Sequence, residues 1–212
     1  EAYLRQSQVT HVQVRSPPIS HHLLSIPLRH SSARPAPTPI PTPAGEQKLF
    51  TSQVPQLLNN RDGATNYEMG MKFTATTAGY IKAIRFYKSA SESGQHIGRI
   101  FSSQGRQLAQ VTFTGESASG WQQQNLAAPL QIAANTVYVV SVNTGKAYYV
   151  ATNDGLARQV SNGNLRSVVG NNGVFGTTIG SVPTQSWKNS NYFRDVVFVA
   201  NSVAPTPNPT PT

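Results

Sequence analysis

Between Tyr67 and Ala200 the apolar residues recur with a period of two. Met71 and Phe73, Ile84 and Phe86, Val111 and Phe113, Val137 and Val139, and Val196 and Phe198 each share one face of an extended strand. Lys72, Arg85, Thr112 and Asp195 stand between them. Turn formers separate these runs: Thr77-Ala78-Gly79, Ser103-Gln104-Gly105, Ser119-Gly120, Asn143-Thr144-Gly145, Asn153-Asp154-Gly155 and Asn171-Asn172-Gly173. Short strands and turns in regular succession, without an amphipathic helix, predict an all-β chain folded as an antiparallel β-sandwich of the jelly-roll or immunoglobulin-like kind. Val54 to Leu58 is expected to make one helical turn at most. Residues 161–184, rich in Gly and Asn, are expected to form a long surface loop.

Proline then divides the chain. It occupies every second position from Pro35 to Pro43 and again from Pro205 to Pro211. Such runs cannot donate a continuous ladder of backbone hydrogen bonds and favour extended, semi-rigid polyproline II. The expected organisation is a tail over residues 1–34, a Pro/Thr linker over 35–45, the sandwich over 46–201, and a second linker over 202–212. A module set between spacers is expected to be one part of a larger exported protein. The tail carries His11, His21, His22 and His30 and no sustained periodicity beyond Val12 and Val14, so it reads as disordered. The alternative is that Gln8 to Arg15 forms a strand that adds to an open sheet edge, which would make the chain an assembly subunit.

The net charge of +9 changes the picture less than its size suggests. The tail holds Arg5, Arg15, Arg29 and Arg34 against Glu1, and the module holds 13 Lys and Arg against 7 Asp and Glu. Lys72, Lys82, Arg85, Lys88, Arg99, Arg106, Arg158 and Arg166 are scattered singly, whereas phosphate binding clusters cations beside stacking aromatics. Nucleic acid is therefore not an expected partner; a general attraction to anionic polymers is. No cysteine is present, so disulfides and thiolate metal sites are absent. No apolar run approaches the ~20 residues of a membrane-spanning helix, and membrane insertion is not expected.

Several motifs, in order, resemble a known family. They are Tyr67-Glu68-Met69-Gly70-Met71-Lys72-Phe73, Ala78-Gly79-Tyr80-Ile81, Ile84-Arg85-Phe86-Tyr87-Lys88, Gly94-Gln95-His96-Ile97-Gly98, Phe113-Thr114-Gly115-Glu116, Gly120-Trp121-Gln122 and Tyr192-Phe193-Arg194-Asp195-Val196-Val197-Phe198. Over residues 49–199 the chain is similar to the bacterial module catalogued as domain of unknown function 4082. The resemblance implies a β-sandwich within a large secreted or surface protein, and it implies no established activity.

The chemistry-bearing residues point to binding more than to catalysis. His96, the module's one histidine, sits in a Gly-rich turn without a nucleophile-elbow pattern. It is expected to hydrogen-bond backbone groups and fix that turn. An enzyme is not expected. Sugars present apolar C–H faces that stack on exposed aromatic rings while polar neighbours take their hydroxyls. Trp187, flanked by Asn189 and Asn191, and Tyr148 and Tyr149, which follow the Asn143 turn, are the candidate carbohydrate-binding residues. Trp121 is read as core. Glu68 and Asp195, in the first and last strong strands, are candidate ligands of a structural calcium, which takes carboxylates together with loop carbonyls. The expected function is a non-catalytic module of an exported bacterial protein, extracellular or at the cell surface. Its partner is a polysaccharide or cell-wall glycan held through exposed aromatics. The alternative is a structural spacer or an assembly subunit that makes its contacts through the tail.

Overall fold

The computed structural model describes residues 45–63 and 66–201. The tail, with its predicted Gln8 to Arg15 strand, and nearly all of both Pro/Thr linkers lie outside these residues. The described chain is an antiparallel β-sandwich, and none of its described residues forms a helix long and apolar enough to cross a membrane. Its strands are β1 (Leu57–Asn60), β2 (Glu68–Ala75), β3 (Gly79–Lys88), β4 (Ile97–Ser102), β5 (Gln107–Thr112), β6 (Gly120–Ile132), β7 (Tyr138–Asn143), β8 (Tyr149–Ala151), β9 (Ser161–Asn162), β10 (Leu165–Ser167), β11 (Val174–Gly176), β12 (Gln185–Ser186) and β13 (Arg194–Ala200).

The larger sheet runs β12-β11-β2-β7-β4-β5, with β10 and β9 continuing from the other half of β2. The smaller is β13-β3-β6, and β1 pairs with β8 in a separate ribbon. The period-two pattern is realised as predicted along β2: Met71, Phe73 and Ala75 face Ile84, Phe86, Val196 and Phe198 of the smaller sheet in one buried core. Ile81 and Ile84 are three apart and would lie on opposite faces of a regular strand. A bulge at Lys82, where the register slips against both β13 and β6, resets the alternation so that both reach the core. Pro129 falls in the same slip on the β6 side, where β6 is an edge strand and loses no ladder bond.

Three expectations are corrected. Val54 to Leu58 forms no helical turn; Leu57 and Leu58 open β1 and are largely exposed. Residues 161–184 are not merely a surface loop. They supply β9, β10 and β11 and bury Leu165, Ser167, Asn172 and Val174. Their strands are only two or three residues long, too short for alternation to be read, and Asn172 replaces apolar packing by bonding the backbone of Lys72 in both directions, at 2.7 and 3.0 Å. Val139 faces away from the main core, packing with Phe101, Val174 and Val182 on the outer side of the larger sheet. Both faces of β7 are therefore covered, and Val140 and Val142 carry its inner face.

Glu68 and Asp195 are not brought together. Glu68 lies on the outer face of the larger sheet, where Arg99 Nη1 donates to it at 2.8 Å, Ser141 Oγ at 2.5 Å and the Gly180 N–H at 3.0 Å. Asp195 belongs to the smaller sheet and accepts the N–H groups of Leu49, Phe50 and Val196 at 2.8–3.1 Å, with Arg85 Nη1 at 3.7 Å. Each carboxylate is engaged by cations and N–H donors, the set that satisfies a buried anion, rather than by the oxygens a calcium ion requires. Among the described residues no three His, Asp or Glu side chains cluster as a metal site.

Gly173, at φ 71°, lies so close to the turn after β12 that an added Cβ would sit 1.6 Å from the Ser190 carbonyl oxygen. Gly173→Ala is expected to cost about 3 kcal/mol or more. Gly170→Ala, at a similar φ of 81° but with open space around it, is expected to cost only about 1 kcal/mol. Urea unfolding of the two variants beside the parent protein measures the difference.

Candidate functional site

At the end of the larger sheet where β2 begins, the β1-β8 ribbon and the turn after β12 enclose a cleft of about 460 Å³. Tyr149, Phe175, Tyr192 and Trp187 supply its aromatic lining, with Met69 and Ala151 buried beneath. Asn60, Asp62, Asn153 and Ser190 supply its polar groups.

The rings are locked by one another. Tyr149 meets Tyr192 edge-on at 6.0 Å, Phe175 meets Tyr192 at 6.4 Å, and Tyr67 closes the set from behind at 5.9 Å from Tyr149 and 6.0 Å from Phe175. Such edge-to-face contacts each add about 0.5–1.5 kcal/mol beyond burial. Two hydroxyls converge on Asp62: Tyr67 donates to Oδ1 at 2.6 Å, and the Tyr149 hydroxyl stands 3.5 Å from Oδ2. Burial, together with the Asp62 carboxylate, pushes the Tyr67 hydroxyl up to about 12 and raises that of Tyr149 as well; burial also pushes Tyr192 up to about 12. All three are neutral donors at ordinary pH.

Trp187 is 61% exposed at the cleft mouth, the most exposed of the lining rings. Its direction is set by a tight turn over residues 187–190, closed by the Ser190 N–H donating to the Trp187 carbonyl at 3.0 Å. Lys188 and Asn189, the two central residues, both lie in the left-handed region, at φ 48° and 42°. This turn ordinarily selects Asn-Gly, and Lys at its first central position costs about 1–2 kcal/mol. The Asp154 and Leu156 N–H groups hold it from outside by donating to the Lys188 and Asn189 carbonyls at 2.9 and 2.8 Å. The Lys188 ammonium lies 5.7 Å over the indole.

The structure unites only part of the predicted set. Trp187 and Tyr149 line the cleft, with Tyr149 6% exposed as a wall rather than an open platform. Tyr148 lies just before β8, half-buried under the Arg61 guanidinium at 5.6 Å, and does not line the cleft. Asn191 is buried; its Oδ1 accepts the Phe193 N–H at 2.7 Å, so its amide serves the backbone. Asn189 is half-buried in the turn and contributes through its carbonyl. Neither asparagine lines the cleft. Sequence reading missed Asn60, Asp62, Asn153, Phe175, Ser190 and Tyr192 as site residues. The Asn153-Asp154-Gly155 turn was visible, but nothing local indicated that it faces Trp187.

His96 is fully buried away from this cleft, against the Phe86 ring at 4.8 Å. Its Nδ1 pairs with the Glu116 carboxylate at 2.8 Å rather than with backbone groups as expected, and Glu116 also binds Lys88 at 2.9 Å. Nearby, Arg194 and Glu92 form a fully buried ion pair at 2.9 Å. Trp121 is half-buried against Phe50, Tyr87 and Phe193, with Arg85 3.9 Å over its ring, in keeping with its reading as core.

Fold and cleft together define a β-sandwich module with an aromatic-walled cleft at one end. A family model described as "Domain of unknown function (DUF4082)" matches residues 52–194. That span is more than half of the chain, and the protein belongs to the DUF4082 family. No curated protein matches it.

Two outcomes follow from this geometry. Lys188→Gly relieves the left-handed strain and is expected to leave stability unchanged or raise it by up to about 1 kcal/mol, whereas Lys188→Val lowers it by about 1–2 kcal/mol, read by urea unfolding. Burial lowers the His96 pKa from 6.5, so the folded state favours the neutral ring. Its contribution is fully present above about pH 6.5 and drains as pH falls through that value, where the unfolded imidazole takes up a proton. The stability gap between the parent protein and His96→Gln should therefore stay constant above about pH 6.5 and narrow progressively as pH falls below it in parallel melts.

Proposed function

We propose that this protein is a non-catalytic module of an exported bacterial protein that binds polysaccharide or cell-surface glycan. The observation that carries the reading is the cleft itself: aromatic walls, one exposed indole at the mouth, and a carboxylate, two amides and a hydroxyl among the lining groups. That combination matches both halves of sugar chemistry, the apolar C–H face and the hydroxyl rim. Preorganisation supports it further. A left-handed turn kept at Lys188 against its intrinsic cost is the kind of strain that persists where a side chain has to be aimed. The net charge of +9 adds a long-range attraction to anionic cell-wall polymers without making a phosphate-binding patch.

The alternative is an assembly role, and one feature favours it. Among the described residues strand β5 ends the larger sheet with an unpaired edge, and its six residues, Gln107 to Thr112, include no Lys, Pro or acidic residue of the kind that blocks strand addition. An added strand at this edge would join copies or neighbouring modules.

Retention of the whole chain on a panel of insoluble and soluble polysaccharides, with calcium and with chelator, separates the two. A glycan module is expected to be retained by at least one polymer, with Trp187→Ala weakening retention about tenfold or more. Absence of retention throughout, together with concentration-dependent association abolished by Val111→Pro on the β5 edge, would replace this reading by assembly.

A further inference from the structure

Resting on the glycan reading, we infer that the cleft grips the non-reducing end of a chain and not a run of internal sugars. A site that lies along a polysaccharide presents several exposed rings in one plane, spaced along the ribbon, so that successive sugars stack on successive rings. The cleft has the opposite arrangement. Its walls stand nearly at right angles, 73° between Tyr149 and Tyr192 and 79° between Phe175 and Tyr192. Tyr149 and Tyr192 are 6% and 5% exposed, and Trp187 alone stands open. Perpendicular walls contact one sugar on more than one side, and a straight chain has no second platform to continue onto. The floor of Met69 and Ala151 is closed, and the volume of about 460 Å³ accommodates roughly two sugar rings, at the small end of ligand clefts.

Asp62 indicates which end is read. An ionised carboxylate only accepts hydrogen bonds, and it takes them well from two adjacent hydroxyls. Within a β-1,4 or α-1,4 chain the 4-hydroxyl of each internal sugar is an ether and donates nothing. The non-reducing terminal sugar keeps it, and so offers a 3,4 pair of donors at its leading tip, beyond the 2,3 pair that internal glucose and galacturonate units also carry. Tyr67 already orients the Asp62 carboxylate through Oδ1 at 2.6 Å, and the Tyr149 hydroxyl stands farther from Oδ2, at 3.5 Å, which leaves Asp62 facing the cleft as a placed acceptor. Asn153 and Asn60 border the remaining rim, and the buried Ser190 donates to Asn153 Oδ1 at 3.3 Å from behind.

The test is calorimetric titration of the whole chain with oligosaccharides from the disaccharide to the hexasaccharide. Three series serve as probes: β-1,4-glucose, β-1,4-N-acetylglucosamine and α-1,4-galacturonate. Retention on the corresponding polymers runs in parallel. The expected result is binding in one series whose affinity stays within about a factor of two from trisaccharide to hexasaccharide. It should survive borohydride reduction of the reducing end and fall about tenfold or more when the terminal 4-hydroxyl is methylated or when Asp62→Asn is used. Partial hydrolysis of the retained polymer, which multiplies chain ends per gram, should raise its capacity in proportion. Affinity that climbs with every added ring, or that ignores methylation of the terminal hydroxyl, overturns the chain-end inference and leaves the glycan reading standing. No binding to any oligosaccharide or polymer overturns both.

Discussion

Two adjacent charges at the start of β13 hold the molecule together. Strand alternation sends Arg194 and Asp195 to opposite faces of the smaller sheet, and both are fully buried. Arg194 enters the interior, where it pairs with Glu92, donates to the Tyr192 carbonyl at 2.8 Å and lies 5.3 Å from the Phe86 ring. Asp195 turns outward and fastens residues 49–50. It takes the N–H groups of Leu49 and Phe50, and its cross-strand neighbour Arg85 returns a bond to the Phe50 carbonyl at 3.1 Å. A buried ion pair adds little net stability over an apolar replacement, but removing one partner costs about 3–5 kcal/mol. These groups therefore act by excluding other arrangements, because any register that displaced Arg194 or Asp195 would strand a charge in the core.

The cleft depends on the same strand. Tyr192 and Phe193 lead directly into Arg194, and Phe193 adopts a left-handed φ of 54° that Asn191 Oδ1 and the Tyr87 N–H hold from either side. That turn separates two aromatic clusters: Phe193 packs with Phe50, Tyr87 and Trp121, while Tyr192 packs with Tyr149 and Phe175 at the cleft. Stability and cleft geometry are thus coupled through three consecutive residues. The wall of the cleft is placed by an anchor whose other contacts are wholly structural.

Each half of the sandwich uses polar groups where small apolar residues are short of reach. On the outer face of the larger sheet Glu68, Arg99 and Ser141 form a bonded cluster under the loop that carries Gly180. Between the sheets His96 and Glu116 form another. The module has no cysteine to close its loops, and Asn172, Gln122 and Asn143 bind loop backbone at Val168, Ser117 and Gln95 in place of disulfides. Buried amides of this sort specify one conformation because each leaves a costly unpaired group when displaced.

By itself the sequence determined the class of fold, since alternation along β2, β3 and β13 has one solution: a sheet with a buried face. It also marked Trp187 as exposed, because amides and a lysine surround it and nothing apolar lies beside it in the chain. Tertiary structure decided the rest. The bulge at Lys82 lets Ile81 and Ile84 share a face that their spacing denies them, and residues 161–184 become sheet because β2 presents an edge for them to join. Asn191, identical in type to a ligand-binding amide, is consumed by the Phe193 N–H. Tyr149 opens β8 and becomes a wall, whereas Tyr148, one residue before the strand, packs under Arg61. Glu68 and Asp195, read as a pair from their places in the first and last strands, belong to different sheets, and each meets its own arginine. The cleft gathers β1, β8, β11 and the turn after β12, whose closeness is set by sheet order. Local chemistry fixes what a side chain can do, and only the long-range pairing of strands fixes what it meets.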